Sequence, residues 1–397
     1  VRFAFEIVFW VTTALVLWTQ AGYALTVSVL ARHPARERRP GRAGAIPTDE
    51  PYRGANRVDA TPRVSLIVAA HDEQEVIEAK VANALALAYP RERLEVIVAC
   101  DGCTDETADR ALAAGADVVL ERPRGGKIAA QDAAVQRATG EIVAFSDANA
   151  LWEPDALERL VAAFADPRVG YACGQVRFVQ AAAGDGATNQ EGLYWRYEMS
   201  LREGESRLSS ITAGNGAIYA TRKDSYIVVH PVMGHDLSFP FNMVKRGWRA
   251  VYVPEARALE KMVPSIEGEL ARKRRMMSHT WPILLRGGML SPRGYTVGYA
   301  LMILSHRLLR YASPFLHALA LAANLAALLA GAGALYLVTL ALQLALLAAA
   351  ALGGWVAARP LLIARYYVLT TLSPALGLWD WLRHGTPASW DVAEGTR

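Results

Sequence analysis

Three aspartates stand at or just beyond the ends of apolar runs, in an order that suits a polyphosphate substrate and a hydroxyl that must lose its proton. Asp101 lies in Val98-Ala-Cys-Asp-Gly-Cys-Thr-Asp105, Asp147 in Val143-Ala-Phe-Ser-Asp-Ala-Asn149, and Asp236 in Gly234-His-Asp-Leu237. The first two follow residues 94–100 and 141–146, which read as buried strands. In open α/β sheets the ligand crevice lies outside the carboxyl ends of the strands. Acidic side chains there can hold a nucleoside, a metal-bound diphosphate and an acceptor hydroxyl. A divalent cation stabilises charge on phosphoryl oxygens. A carboxylate acting as general base is typically worth roughly 10²–10⁴-fold in rate.

The elements that must position these acids follow from the pattern beginning at Arg63. Residues 64–69 are β-branched and apolar, and 73–89 carry Val76, Ile77, Val81 and Leu85 at helical spacing. Strands at 94–100, 117–120 and 141–146 then alternate with helices at 104–114, 127–138 and 154–164. Such alternation predicts a mostly parallel sheet with helices on both faces. Residues 169–179 and 211–220 read as later strands that pair antiparallel. Between them, 189–207 form a polar, aromatic-rich helix with Tyr194, Trp195, Tyr197 and Glu198. There is no internal repeat and no glycine-rich phosphate loop of Rossmann or Walker type.

Hydropathy places this α/β domain against a membrane. Residues 7–31 carry no charge, are long enough to cross a bilayer, and precede Arg32, Arg36, Arg38, Arg39 and Arg42. A cleaved signal peptide is the alternative, but the run is too long and no small-residue cleavage site precedes the arginines. The arginines assign the downstream side to the cytoplasm. Residues 311–358 contain no Asp, Glu, Lys or Arg and fit two spans joined at Gly331-Ala-Gly-Ala334. Residues 360–382 either span, with Arg365 and Asp380 snorkelling, or lie at the interface. Residues 301–311 read as an amphipathic interfacial helix, with the start of the next span as the alternative. The organisation expected is therefore a transmembrane helix (1–31), a basic linker rich in Pro and Gly (32–62) and a cytoplasmic α/β domain (63–290). An interfacial segment (291–311), two or three transmembrane helices (312–382) and a tail (383–397) follow, all in the plasma membrane. The chain begins at Val1 rather than methionine, which leaves room for a preceding leader or span.

A net charge of +4 over 397 residues predicts no partner by itself, and three cysteines exclude a disulfide framework. Cys100-Asp-Gly-Cys103 matches Cys-x-x-Cys, but it brackets an aspartate at a strand end instead of opening a helix. The basic clusters sit beside membrane segments and belong to no nucleic-acid module.

At these residues the chain resembles family 2 of the inverting glycosyltransferases, in its membrane-integrated branch with the cellulose, hyaluronan and poly-N-acetylglucosamine synthases. The resemblance covers roughly residues 63–290. It rests on Val64-Ser-Leu-Ile-Val-Ala-Ala-His-Asp-Glu73, Asp101-Gly-Cys-Thr-Asp105, Gly126-Lys127, Asp147-Ala-Asn149 and His235-Asp236. Gly247-Trp-Arg-Ala-Val-Tyr-Val-Pro-Glu-Ala256 completes it. Each motif is weak alone; their order and separations make them specific together. The resemblance implies a GT-A-type domain for a nucleoside-diphosphate sugar, a UDP-sugar first.

It also implies that Asp101 contacts the base, where a turn or cap aspartate is the plainer reading. Asp72 or Glu73 would lie near the nucleoside. Lys127, at a helix start after two glycines, suits a diphosphate, a solvated lysine being the alternative. Asp147 would face the ribose and a Mg²⁺ or Mn²⁺ ion. Asn149 stands where the family's second acid commonly ligates the metal, and its amide oxygen ligates without charge. Asp236 would be the general base, a role compatible with a helix cap, and His235 would support it. The last signature, Gln-x-x-Arg-Trp, is reduced to Arg272-Lys-Arg-Arg275-Met276. Arg275 would contact the departing diphosphate, and Trp281 is the nearest stand-in for the missing tryptophan. That loss, and too few spans for a translocation channel unless the chain forms a homo-oligomer, argue against processive synthesis.

The acceptor, a glycan or a lipid, is expected to pack on Tyr194 and Trp195 and on Gly214-Asn-Gly-Ala217, with Asn215 as a contact. Core packing is the commoner use of such aromatics. Single-sugar transfer to a polyprenyl phosphate or glycolipid uses the same donor chemistry. A catalytically silent membrane subunit is the reading of another class.

Overall fold

The computed structural model describes residues 1–32, 59, 61–179, 187–261 and 266–388, so most of the 32–62 linker, the side chain of Tyr194 and residues 389–397 lie outside the described part. The elements run in chain order from a long N-terminal helix α1 (Arg2–Arg32). The α/β domain follows with β1 (Val64–Ala70), α2 (Ile77–Leu85), β2 (Leu94–Asp101), α3 (Thr107–Ala113) and β3 (Val118–Arg122). It continues with α4 (Lys127–Arg137), β4 (Ile142–Asp147), β5 (Leu151–Trp152), α5 (Ala156–Ala162) and β6 (Val169–Val179). Then come α6 (Ala187–Leu208), β7 (Ile218–Arg222), α7 (His235–Lys245), β8 (Arg249–Lys261) and α8 (Ile266–Leu285). The chain closes with α9 (Val297–Leu329), α10 (Ala334–Leu352) and α11 (Arg359–His384).

The strands form one sheet in the order β3-β2-β1-β4-β7-β6-β8-β5. β3, β2, β1 and β4 are mutually parallel, β7 is antiparallel to both β4 and β6, and β6 is parallel to β8. Register fixes where the acids emerge. Ala70 pairs with Cys100 and Ala69 with Asp147, so β1, β2 and β4 end together along one edge. The central strands read as unbroken apolar runs because both faces are covered. Leu66, Val96 and Ala144 pack with Trp152, Leu160 and Phe164 on one face. Ile67, Ile97 and Phe145 pack with Ala130, Ala134 and Phe239 on the other. Element ends are shorter than the sequence pattern suggests around the acids. α3 starts at Thr107 because Asp105 Oδ1 accepts from the Thr107 amide at 3.0 Å, while its Oδ2 accepts from the Gln74 amide at 3.1 Å.

Among the described residues four helices are long and apolar enough to cross a membrane: α1, α9, α10 and α11. The segment read as interfacial is the start of α9, whose helix passes through a π-helical stretch, Ile303–Leu308, without a break. Of these, α1, α9 and α11 meet the α/β domain in an apolar cluster containing Tyr23, Leu201, Phe241, Trp281, Tyr299 and Met302, with Leu378 and Trp381 of α11 packed against it. A buried polar knot sits within that joint. Glu205 of α6 accepts from Tyr23 Oη at 2.7 Å and lies 2.7 Å from His306 Nδ1. Its other oxygen accepts from the Thr212 amide and hydroxyl at 3.1 and 3.0 Å, and Arg307 Nε donates to the same hydroxyl at 2.8 Å. Arg310 pairs with Glu198 beside it.

Candidate active site

The site is assembled around the turn Gly214-Asn-Gly216, which enters β7. The Gly214 amide donates to the Asp236 carbonyl at 2.7 Å, tying the turn to the first residues of α7. Gly216 faces the other way: a Cβ there would stand 3.3 Å from Lys127 Nζ and 3.9 Å from Asp147 Oδ2. The turn therefore bridges Asp236 to the Lys127–Asp147 pair, which is itself directly hydrogen-bonded. Burial alone would lower the Lys127 ammonium. The Asp147 carboxylate, with Asp236 and Glu260 behind it, raises it instead. The site thus holds a secured cation between two carboxylates.

Asn215 has both amide atoms engaged by backbone, Nδ2 donating to the Gly174 carbonyl at 2.6 Å and Oδ1 accepting from the Ile218 amide at 2.9 Å. Its work in the structure is to hold the turn. A methyl group on Gly214 would overlap the buried Tyr171 hydroxyl. Gly214→Ala is expected to cost about 1–3 kcal/mol by overpacking, read as a lower melting temperature, with part restored by Tyr171→Phe.

Asp236 lies in the first turn of α7, whose cap is Gly234, so it is a first-turn acid rather than the cap. Its carboxylate is half-buried, and its charge is felt by Lys127 and by His279 of α8. His235 is buried against Phe239, with ring centroids 4.0 Å apart, and its Nδ1 is 2.8 Å from Tyr219 Oη. Burial first, and Lys127 second, push its imidazole down to about 3. An imidazole that stays neutral in the fold but takes a proton near 6.5 when unfolded stabilises fully above pH 6.5, and that contribution is lost as pH falls from 6.5 towards 3. His235→Gln is expected to flatten the loss of melting temperature between pH 6.5 and 4.

Asp101 is 1% exposed, and its carboxylate accepts from the Gly125 amide at 2.7 Å and the Gly126 amide at 2.9 Å. In this structure it anchors the loop before α4 and thereby aims Lys127; it does not cap α3. Asp72 and Glu73, together with Gln74, Glu75, Thr104 and Asp105, line a cleft of about 270 Å³ at the ends of β1 and β2. Asn149 occupies the turn after Asp147. Trp195 donates through Nε1 to the Val176 carbonyl at 2.8 Å and packs edge-on against Phe178. Trp281 is buried, with Nε1 donating to the Pro374 carbonyl at 2.8 Å, so it joins α8 to α11 instead of facing a ligand. Arg275 is exposed on α8, and its charge reaches His279.

Sequence reasoning passed over two neighbours of the site. His279, whose Nδ1 is 3.1 Å from the Val232 carbonyl, faces Asp236, and only its place four residues after Arg275 could have flagged it. Lys80 is fully buried behind Asp147, with Nζ donating to the Ala150 carbonyl at 2.6 Å, and burial brings its ammonium down to about 7. A lysine inside a helical apolar stripe gives no signal of that kind.

The family profile described as Glycosyltransferase like family 2 matches residues 62–278, more than half of the chain, including Asp101, Lys127, Asp147, Asn149, Asp236 and Arg275. The chain belongs to this family. It is a glycosyltransferase. The poly-beta-1,6-N-acetyl-D-glucosamine synthase of Staphylococcus aureus (strain COL) is 25% identical over 227 residues, 55% of this chain and 54% of that protein. The beta-monoglucosyldiacylglycerol synthase of Synechocystis is 31% identical over 170 residues, 41% of this chain and 33% of that protein. The chain thus spans about half or less of the curated relatives it matches. The glycosyltransferase fold is similar along nearly its whole length to the mannosyltransferase PcManGT of Pyrobaculum calidifontis, solved with GDP-Man and Mn2+. The TM-score is 0.69 at 23% identity, covering 96% of this chain and 99% of that one. The architecture is GT-A with a mostly parallel sheet and four candidate membrane helices.

Proposed function

We propose that the chain is a membrane-bound inverting glycosyltransferase that moves one sugar from a nucleoside-diphosphate sugar to a glycan or lipid acceptor at the cytoplasmic face. The observation that carries this reading is the joining of Asp236, through the Gly214–Gly216 turn, to the Lys127–Asp147 pair. An inverting transfer needs a base on one side of the anomeric carbon and a cationic sink for the diphosphate on the other. Asp236 is the base, and Lys127 and Arg275 receive the diphosphate. Asp72 and Glu73 serve the nucleoside in their cleft, Asp101 sets the loop that presents Lys127, and Asn215 sets the turn.

The residues fit a divalent cation. Gly216 leaves room beside Asp147 Oδ2, and Asn149 offers a neutral oxygen in the same turn. Asp147 and Asn149 would hold Mg²⁺ or Mn²⁺, which supplies charge stabilisation to phosphoryl oxygens. With one carboxylate, the bound phosphates must contribute much of the affinity. The donor panel includes UDP-glucose, UDP-N-acetylglucosamine and, because the similar fold of PcManGT was solved with GDP-Man, GDP-mannose.

A lipid acceptor is the second reading, favoured by the way α8 is fastened to a membrane helix. Trp281 bonds the Pro374 carbonyl, Arg274 grips Asp380 with two bonds of 2.6 Å, and Thr386 Oγ1 donates to the Ser278 carbonyl at 2.8 Å. The face of α8 that carries Arg274, Ser278 and Trp281 therefore packs on α11, next to the face that carries Arg275 and His279. The test is nucleotide release by detergent-purified protein with each donor, Mg²⁺ or Mn²⁺, and membrane lipid extract. Product extracted into organic solvent supports the lipid acceptor, and large water-soluble product supports the glycan. Release of no nucleotide from any donor would defeat the transferase reading in favour of a silent subunit.

A further inference from the structure

A second group of ligating atoms stands one strand away from Asp147, where β1 and β2 end. His71 and Asp72 follow β1, and Cys103 follows β2. One ligand atom from each lies within 4.8 Å of the other two, and His71 Nε2 is 3.5 Å from Asp72 Oδ2.

Three features make this more than an accidental neighbourhood. His71 Nδ1 lies 2.8 Å from the Asp101 carbonyl oxygen. A carbonyl can only accept, so Nδ1 carries a proton, which leaves Nε2, the nitrogen that faces Asp72, as the one that can take a metal. A carbonyl bonded in this way to the ring's other nitrogen commonly orients a metal-binding imidazole. Asp72 is the one non-glycine residue with positive φ among those described, at 51°. The left-handed conformation is held by the Thr104 amide, which donates to Asp72 Oδ1 at 2.7 Å, while Oδ2 faces His71. Cys103 brings the third donor from the neighbouring strand, its thiol donating to the Ala70 carbonyl at 3.6 Å.

We propose that His71, Asp72 and Cys103 form a binding site for a thiophilic divalent cation, Zn²⁺ in preference to Mg²⁺ or Mn²⁺. An imidazole nitrogen, a thiolate sulfur and a carboxylate oxygen are the donor types zinc takes, and three protein ligands leave its fourth position open. Magnesium and manganese favour oxygen sets, so Asp147 and Asn149 remain the place for those ions. A bound ion would clamp the loop after β1 to the loop after β2 and hold Asp72 in the wall of the nucleoside cleft, so that Asp72 would serve the nucleoside by shaping that cleft and not by direct contact.

The test titrates Cd²⁺, a spectroscopic stand-in for zinc, into the full chain in detergent, fully reduced and in excess Mg²⁺. One Cd²⁺ per chain is expected, with an ultraviolet thiolate charge-transfer band that Zn²⁺ competes away. Cys103→Ser should abolish the band. Loss of an outer-shell partner alone typically costs ~10–100-fold in affinity, so His71→Ala should weaken binding by at least about 100-fold. Asp147→Asn should keep the band and the stoichiometry. Melting curves of each variant confirm that it is folded. No band in the unaltered protein would overturn the proposal. So would a band unchanged in His71→Ala, which would mark simple capture by the Cys100 and Cys103 thiols, or a band lost in Asp147→Asn.

Discussion

Asp236→Asn is expected to lower kcat by roughly 10²–10⁴-fold, the usual worth of a positioned general base, with little change in donor affinity. The amide fills the same space in the first turn of α7 and leaves the Gly214 amide bonded to the residue 236 carbonyl, which is backbone. It cannot take the acceptor proton. Lys127→Met removes the ammonium that Asp147 holds and should act on donor binding as well as on diphosphate departure, raising the donor KM in addition to lowering kcat. The contrast separates base from diphosphate contact. Steady-state nucleotide release with varied donor measures both constants. An Asp236→Asn enzyme within about tenfold of the unaltered kcat would remove Asp236 from that role.

Much of this arrangement is legible in the sequence because it depends on strand ends. An apolar run that stops at an acid reads as a central strand opening onto a crevice, and the register of β1, β2 and β4 brings Asp101 and Asp147 to one edge. Asp236 was legible from its short motif, although its first-turn position shows only when Gly234 is seen to cap the helix. What the sequence hides is which polar atoms the backbone claims. Asp101 and Asn215 have the residue types of ligand contacts, yet glycine amides take the one and a turn takes the other. Trp195 and Trp281 suit a sugar ring equally well on paper, and only packing separates them, leaving Trp195 half-buried against Phe178 and placing Trp281 in the joint with α11. His306 and Arg307 resemble the charged face of an interfacial helix. Glu198 and Glu205, about a hundred residues away in sequence, flank both ring nitrogens of His306, and Thr212, itself bonded to Glu205, takes Arg307.

That buried knot carries the second large effect, this time on stability. Burial alone would raise the Glu205 carboxyl, but His306, Arg307 and the Tyr23 hydroxyl hold it down to about 2. Glu205 is 0% exposed, and it receives bonds from α1, α9 and the strand-side residue Thr212 at once. Removing one partner of a buried ion pair leaves the other charge uncompensated, at about 3–5 kcal/mol. Glu205→Ala is therefore expected to lose about that much stability, read as a marked fall in melting temperature in detergent. The α/β domain should also come away from α1 and α9 before the sheet melts, so that Glu205→Ala melts in two steps where the unaltered chain melts in one. Because the folded carboxyl lies below its ordinary 4.5, its contribution is complete above pH 4.5 and lost as pH falls through 4.5 towards 2. Glu205→Ala should accordingly lose the part of the acid sensitivity that falls in that window. A variant that melts with the unaltered protein at pH 7 would mean that the apolar cluster around Tyr23, Phe241 and Trp281 holds the joint without the ions. The sharper comparison is with Arg307→Met, which removes a cation from the same knot. If the pair acts as a unit, the double variant should be less damaged than the two single losses added together.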